Sequence, residues 1–541
     1  MSASTSPQQR PRAARRRRIR LFIVIAALLI MLTVGGQQLA VWSGAPASAK
    51  DCVVRVAPTP APDVTPPRPT GTTGAAYAGT LAQRGGTVND ASCLNRTQVY
   101  GVVRPTSVAD VRQALAFAEQ HDLVVSIAGT RHAMGGQAAY PGALVLDMRG
   151  MARVSVDEGR RTATVQAGAP WHEVLEAVHP VGLSVATMPS IDVLSVGGTV
   201  SVNAHGLDFR TGSLSSTIRS MRVMLADGTV HRVSREQEPE LFRSVIGGYG
   251  LFGVVLEVEL DLVDSEVYRL RSDVVDYRSF PEFFANDVAG DDSARLSYTH
   301  LSTSPENLLE EAIVYTYRRV SAEEPIPPLK ARSSDRVGRL VINLARTGDL
   351  GQRMKWSAQR DLLPRVRGCT RARNEALRET EACMIARNQA MYESLELLEN
   401  QLPQYTDVLH EYFLPYDRLV PFIDELRAEL GTHEAQLLNA SIRVVHAEDI
   451  ALDYAQGDRF SLVLYLSQDV SDAGNADMAD LTRELVGAAL DHGGTFYLPY
   501  QQHYTRAQVA QAYPGLDDFF AAKRRYDPAL RFQNSLFARY S

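Results

Sequence analysis

Three glycine clusters fall inside one stretch of alternating short apolar runs and helix-length segments: Gly129 with Gly135-Gly136, Gly197-Gly198 with Gly206, and Gly247-Gly248 with Gly250 and Gly253. Without a Cβ, glycine lets backbone N–H groups approach a pyrophosphate closely and take up positive φ, so loops of this kind are natural dinucleotide cradles. Any one cluster could equally be a tight turn of an α+β fold. Three in succession constrain the whole region. The third, Gly248-Tyr249-Gly250-Leu251-Phe252-Gly253, has the G-x-G-x-x-G spacing but precedes a strand instead of following one, which argues against a Rossmann arrangement.

The elements around these loops follow from periodicity. Val99 to Val103 is a short apolar run, and Val108, Val111, Leu115 and Ala118 then recur at helical spacing behind Ser107, with Asp110 three positions on as a capping-box variant. Val124 to Ala128 and Leu144 to Asp147 read as buried strands, Thr162 to Ala167 as a further strand, and Trp171 to Val178 as a helix. Asp227-Gly228 marks a hairpin between Met221 to Ala226 and Thr229 to Val233, and Phe252 to Val263 closes the region as a long strand. Beyond about Ser265 the glycine loops disappear and polar helices are expected at Arg371 to Leu398 and Leu419 to Leu430. Such a shift marks a second domain. Around Gly493 the aromatic and glycine character returns, so the C-terminus is expected to rejoin the first domain.

Seven arginines lie between Arg10 and Arg20, and no charge follows until Lys50. The apolar run Leu21 to Val34 and the triplet Ala47-Ser48-Ala49 fit a cleavable export signal; Leu21 to Trp42 is equally long enough to remain as a membrane anchor. Either way the arginines stay inside and the rest of the chain lies outside the cytoplasm. Ala57 to Gly74, rich in Pro, Thr and Gly, reads as a tether. Four cysteines, Cys52, Cys93, Cys369 and Cys383, permit two disulfides, with Cys369 and Cys383 the expected pair. No C-x-x-C spacing suggests a metal site, and no G-x-S-x-G elbow suggests a serine nucleophile. A net charge of -6 leaves no basic excess for nucleic acid.

The stretch Val124 to Met148, with its Gly129-Thr130-Arg131-His132 and Gly136-Gln137 runs, resembles the FAD-binding (PCMH-type) domain of the vanillyl-alcohol oxidase family, which includes cytokinin dehydrogenases and alditol and aldonolactone oxidases. The resemblance continues through Met188 to Asp192, Gly197 to Gly206, Ile246 to Gly248, and a closing segment from Lys523 to Asn534. It implies an α+β fold with two FAD-binding subdomains, a substrate cap and a C-terminal segment returning to the flavin. The expected division is 1–50 signal or anchor, 51–94 linker, 95–264 FAD-binding domain, 265–490 cap and 491–541 C-terminal segment.

The same resemblance assigns cofactor contacts to Gly129, Thr130, Arg131, His132, Ala133, Gly135, Gly136, Gln137, Pro189, Ser190, Asp192, Gly197, Gly198, Thr199, Ser201, Asn203, His205, Gly206, Ile246, Gly248 and Asn534. His132 stands where the family often joins a histidine to FAD, although Arg131 departs from the usual small residue before it. The family's P-H-W-x-K segment corresponds to Pro499-Tyr500-Gln501-Gln502-His503, which makes His503 the expected base. A neutral imidazole can accept an alcohol proton at working pH. The family's E-x-R pair becomes Ser441-Ile442-Arg443, keeping only the cation as a substrate-orienting group, and Glu411 and His446 are further cap candidates.

The expected activity is oxidation of a CH–OH group in a sugar, lactone, polyol or related alcohol, with O2 or a membrane acceptor taking the electrons. The alternatives are reduction of a C=C bond, as in sterol reductases, or a decayed flavin-binding protein. Arg365 to Arg387, interleaved with glutamates, reads as a solvated helical face.

Overall fold

The computed structural model describes residues 77–320, 325–329, 345–346, 348–362, 384–392 and 404–541. The Leu21 to Trp42 run, the Ala57 to Gly74 tether and Cys52, Cys369 and Cys383 lie outside them, while Cys93 is disulfide-bonded. Among the described residues no helix is long and apolar enough to cross a membrane.

The first sheet runs Leu81–Arg84, Gly101–Val103, Leu144–Asp147, Val125–Ala128 in spatial order, the last three strands parallel. Parallel neighbours need a crossover, and the helix Val108–Gln120 supplies it. Ser107 accepts from the Asp110 N–H and the Asp110 carboxylate accepts from the Ser107 N–H, closing the expected capping box. The C-terminal tail adds to the far edge of this sheet. Val125 and Phe532 form a parallel bridge, Val125 N–H donates to Arg531 O at 2.7 Å, and Gln533 N–H donates to Val125 O at 2.9 Å.

The second sheet is antiparallel, ordered Val230–Ser234, Ile218–Met224, Val254–Asp264, Thr162–Gln166, Val154–Asp157, with Leu183–Val185 on the far end of Val254–Asp264. Helix Trp171–Val178 buries Trp171, Val174, Leu175 and Val178 in its core.

The middle of the chain departs from the helical reading. Its frame is an eight-stranded sheet in the order Met384–Ala386, Val267–Asp276, Glu311–Arg319, Ala294–Leu301, Gln436–Val445, Arg459–Asp469, Tyr405–Leu414, Thr495–Phe496. Helices Leu419–Leu430 and Asp472–Asp491 cover part of one face: Phe422 meets the Tyr412 ring, and Thr482 bonds His410. The expected helix from Arg371 to Leu398 is replaced, in its described part, by the strand Met384–Ala386 and the short helix Arg387–Met391.

Arg387 is likewise not on a solvated face. It is buried, pairs with Asp208 at 2.6 Å, and donates to the Val185 and Ala186 carbonyls and to Tyr268. Burial of a guanidinium is tolerable only with this degree of pairing, so Arg387 clamps the cap sheet to the first domain.

Candidate active site

A cavity of about 500 Å³ opens between the first two sheets and the eight-stranded sheet. One wall is loop. Gly129, Thr130, Arg131, His132, Ala133, Gln137, Pro189, Ser190, Gly197, Gly198, Thr199, Ser201 and His205, all expected cofactor contacts, border the cavity. Close approach explains the glycines: a Cβ on Gly197 would stand 2.6 Å from the Ala167 Cβ, and one on Gly206 2.0 Å from the Met188 carbonyl oxygen. Burial and the neighbouring Arg131 cation push His132 down to about 4, so its ring is neutral at working pH.

Other expected cofactor residues support the wall without bordering it. Gly136 N–H donates to Asp90, Asp192 O accepts from His172 N–H, and Asn203 bonds Ser213. Gly135 takes its place against Pro499 O, Gly206 and Gly248 accommodate nearby carbonyl oxygens, and Ile246 is core. Asn534 caps the last helix and ties it to Tyr249 O at 2.8 Å.

Strand alternation builds the opposite wall. In Tyr405–Leu414 the residues Asp407, Leu409 and Glu411 face the cavity, and the residues between them face the covering helices. Gln436–Val445 contributes Asn439, Ser441 and Arg443, Arg459–Asp469 contributes Val463 and Tyr465, and His300 completes the row. Glu411 is its chemical centre. The carboxylate is buried and accepts from His205 Nε2–H, from Ser461 Oγ–H at 2.6 Å and from Tyr500 O–H at 3.1 Å. Burial pushes its pKa up, but His205, these hydrogen bonds and the Arg443 charge outweigh it and hold the carboxyl below the usual range. Burial and the Glu411 charge push the Tyr500 phenol well up, keeping it a hydrogen-bond donor.

His503 does not border the cavity. Pro499 and Tyr500 do, but Gln501 and Gln502 then turn inward, bonded to Met134 O and Ser535, and carry the chain away. His503 ends beside Arg483 and Arg539; burial and those charges hold it down to about 4. His446 is engaged elsewhere, bonded to Asp458 and Phe209 O. Glu411, among the expected catalytic residues, lines this wall, as does the Asp407 carboxylate. Glu411 also restores what Ser441 lacks, since Ser441 pairs with Val463 and Val463 with Glu411, placing carboxylate and Arg443 on one face.

Sequence reasoning did not single out Tyr500 as a catalytic group, nor His300, Gln359, Asn439 or Tyr465, all on the cavity. Tyr500 was within reach, as it sits beside Pro499 in the recognised segment.

The loop wall fits a dinucleotide. Ser190 Oγ, Ser195 Oγ and Arg131 Nε are buried there without a hydrogen-bond partner. Each unsatisfied group costs about 1–3 kcal/mol, so phosphate oxygens are suitable partners.

Residues 99–234 match a family model described as an FAD binding domain. Cytokinin dehydrogenase 2 of Arabidopsis thaliana is 30% identical over 203 residues, covering 35% of this chain and 40% of that protein. Decaprenylphosphoryl-beta-D-ribose oxidase of Mycolicibacterium smegmatis is 31% identical over 166 residues, covering 30% of this chain and 36% of that protein. L-gulonolactone oxidase of Mus musculus is 30% identical over 161 residues, with coverage of 30% and 36%. The chain thus spans only about two fifths or less of the length of these relatives. The crystal structure of 6-hydroxy-D-nicotine oxidase from Arthrobacter nicotinovorans shares the fold, with a TM-score of 0.56, 17% identity, and coverage of 84% of this chain and 98% of that one.

Proposed function

From an FAD-binding domain of the vanillyl-alcohol oxidase type at residues 99–234, we propose that the chain is a flavin-dependent oxidoreductase that oxidises a CH–OH group of a small hydroxylated substrate. FAD, when bound, supplies the hydride acceptor. Gly129 to Gln137, Pro189, Ser190 and Gly197 to His205 would hold it, leaving the cap wall for substrate. The observation that carries the reading is Glu411, a deprotonated carboxylate in the cavity wall, with Tyr500 beside it at 3.1 Å.

Glu411 accepts the hydroxyl proton, which eases departure of hydride from the same carbon. His205 and Ser461 donate to the carboxylate and fix its orientation, and Tyr500 positions the substrate oxygen. The apolar share of the lining, including Val202, Val255, Leu409 and Val463, keeps water from the reacting carbon. The electrons pass on to O2 or to a membrane acceptor.

Anaerobic titration of the purified holoprotein with alcohols, lactones and hydroxy acids tests the reading through flavin absorbance. Bleaching by one of these classes is expected. Bleaching by NADPH alone would favour the C=C reductase instead.

We further infer that the catalytic region lies outside the cytoplasm, supported by the arginine cluster ahead of the Leu21 to Trp42 run. A periplasmic-type reporter fused after Ser541 should then be active. Activity of a cytoplasmic reporter at that position would reverse the topology.

A further inference from the structure

We propose that the substrate is an acid, its carboxylate docked on Arg443 at the cap end of the cavity while its hydroxyl meets Glu411. This rests on the oxidation reading above and adds to it a substrate class.

Arg443 is the unsatisfied charge of the site. Its side chain borders the cavity, yet it makes no hydrogen bond or ion pair among the described residues, and its Nε is buried without a partner. The carboxylates of the same wall are engaged with other groups. Glu411 is taken by His205, Ser461 and Tyr500; Asp407 is paired with Arg346 and accepts from Tyr465 at 2.5 Å. Arg443 is near enough to help hold the Glu411 carboxyl down but beyond ion-pair reach of it.

A buried guanidinium is normally paired, and its planar fork matches a carboxylate in two parallel N–H···O bonds. The rest of this end favours an anion too. Lys355 is fully buried just behind Asn439, and its hydrogen-bond partners among the described residues are neutral acceptors: Leu438 O at 2.5 Å, Thr303 Oγ1 at 3.3 Å and Asn439 Oδ1 at 3.4 Å. Burial holds Lys355 down to about 7, so it carries only part of a charge at neutral pH; His300 stays neutral and adds no competing charge, while Gln359 and Asn439 offer amide hydrogen bonds.

A monoanion suits this wall better than a phosphate dianion. Among the described residues, Arg443 is the one unpaired cation on the cap side of the cavity, since Lys355 does not itself border it. Register makes one small molecule able to reach both groups. Ser441 lies two strands across from Glu411, and Arg443 two residues further along the same face. At strand spacings of about 4.8 Å the two backbone positions are roughly 12 Å apart, a gap that the long Arg443 side chain shortens to small-molecule size.

The test compares matched pairs on the holoprotein: lactate with propane-1,2-diol, glycerate with glycerol, and gluconate with glucitol. Glycerol 3-phosphate serves as the phosphate probe. Binding is read by calorimetry and by perturbation of the flavin spectrum without oxygen, so it does not depend on turnover. At least one acid should bind ten-fold or more tightly than its neutral partner. Arg443→Gln should abolish that preference and Arg443→Lys should keep part of it, with FAD content and Tm unchanged in both.

Equal binding of every acid and its alcohol would overturn the inference. So would preference for the phosphate, or acid binding that survives in Arg443→Gln. Arg443-dependent acid binding without flavin bleaching would sink the oxidation reading and leave the carboxylate site standing. Bleaching by neutral alcohols at equal rates in wild type and Arg443→Gln would do the reverse.

Discussion

The two walls of the cavity are built on opposite plans. The loop wall comes from contiguous runs, Gly129 to Gln137 and Pro189 to His205, whose backbone shape needs glycine and whose residues stay neighbours in sequence. The sheet wall takes alternate residues from separate strands, with His300, Glu411, Ser441, Arg443 and Val463 brought together by hydrogen-bond register alone. The first kind of wall suits a large, invariant cofactor; the second can change one side chain at a time and, on the proposed reading, would set what is oxidised. Damage should divide accordingly, with loop-wall changes acting on cofactor binding and sheet-wall changes acting on the reaction.

The sharpest test of that division is Glu411→Gln. Loss of the carboxylate should slow flavin reduction by roughly 10²- to 10⁴-fold while FAD content stays at the wild-type level. His503→Ala, made alongside it, should leave reduction unchanged, because its ring lies off the cavity. Stopped-flow absorbance without oxygen reads both, and a slow His503→Ala with a normal Glu411→Gln would return the base to the recognised segment.

Gly197→Ala should give the complementary result. The new methyl would meet Ala167 Cβ at 2.6 Å and Ala167 O at 3.0 Å, forcing the loop wall to shift. FAD affinity should fall by about ten-fold, the scale of one strained contact of about 1–3 kcal/mol, measured by flavin release on dialysis. The variant, once saturated with FAD, should retain most of its reduction rate. A large rate loss at full occupancy would blur the distinction between the walls.

The smallest effect expected concerns acid. Burial holds His300 and His410 down to about 3, against an ordinary value of 6.5. As pH falls below 6.5 the unfolded chain takes up these protons and the folded chain does not until about 3. The unfolded state is then favoured, and stability is lost across that window. The Tm should therefore decline steadily from pH 7 to pH 5, and His300→Gln should flatten the decline. An unchanged slope would mean that His300 is protonated in the folded sheet.

The loop wall was legible because its function depends on local backbone geometry. Gly197-Gly198 in the first turn of the short helix Val196–Val202 and His132 within a glycine loop carry their meaning in adjacent positions. The strand frame of the cap was missed because its strands have one face on the cavity and the other under helices, so both faces are buried and Asp407, Glu411 and Arg443 fall among apolar neighbours without a clean alternating pattern. Arg387 was misread because its counter-ion Asp208 lies far away in sequence.

His503 shows the limit most clearly. The resemblance of the Pro499 segment pointed to residue 503, but whether residue 500 or 503 enters the cavity depends on Gln501 and Gln502 finding Met134 O and Ser535. The sequence by itself determined the dinucleotide cradle, the capping box at Ser107 and the return of the C-terminal segment, all set by local pattern or by a contiguous motif. Only the tertiary structure decided which carboxylate and which cation share the cavity wall, because strand register and long-range hydrogen bonds join residues that no local pattern connects.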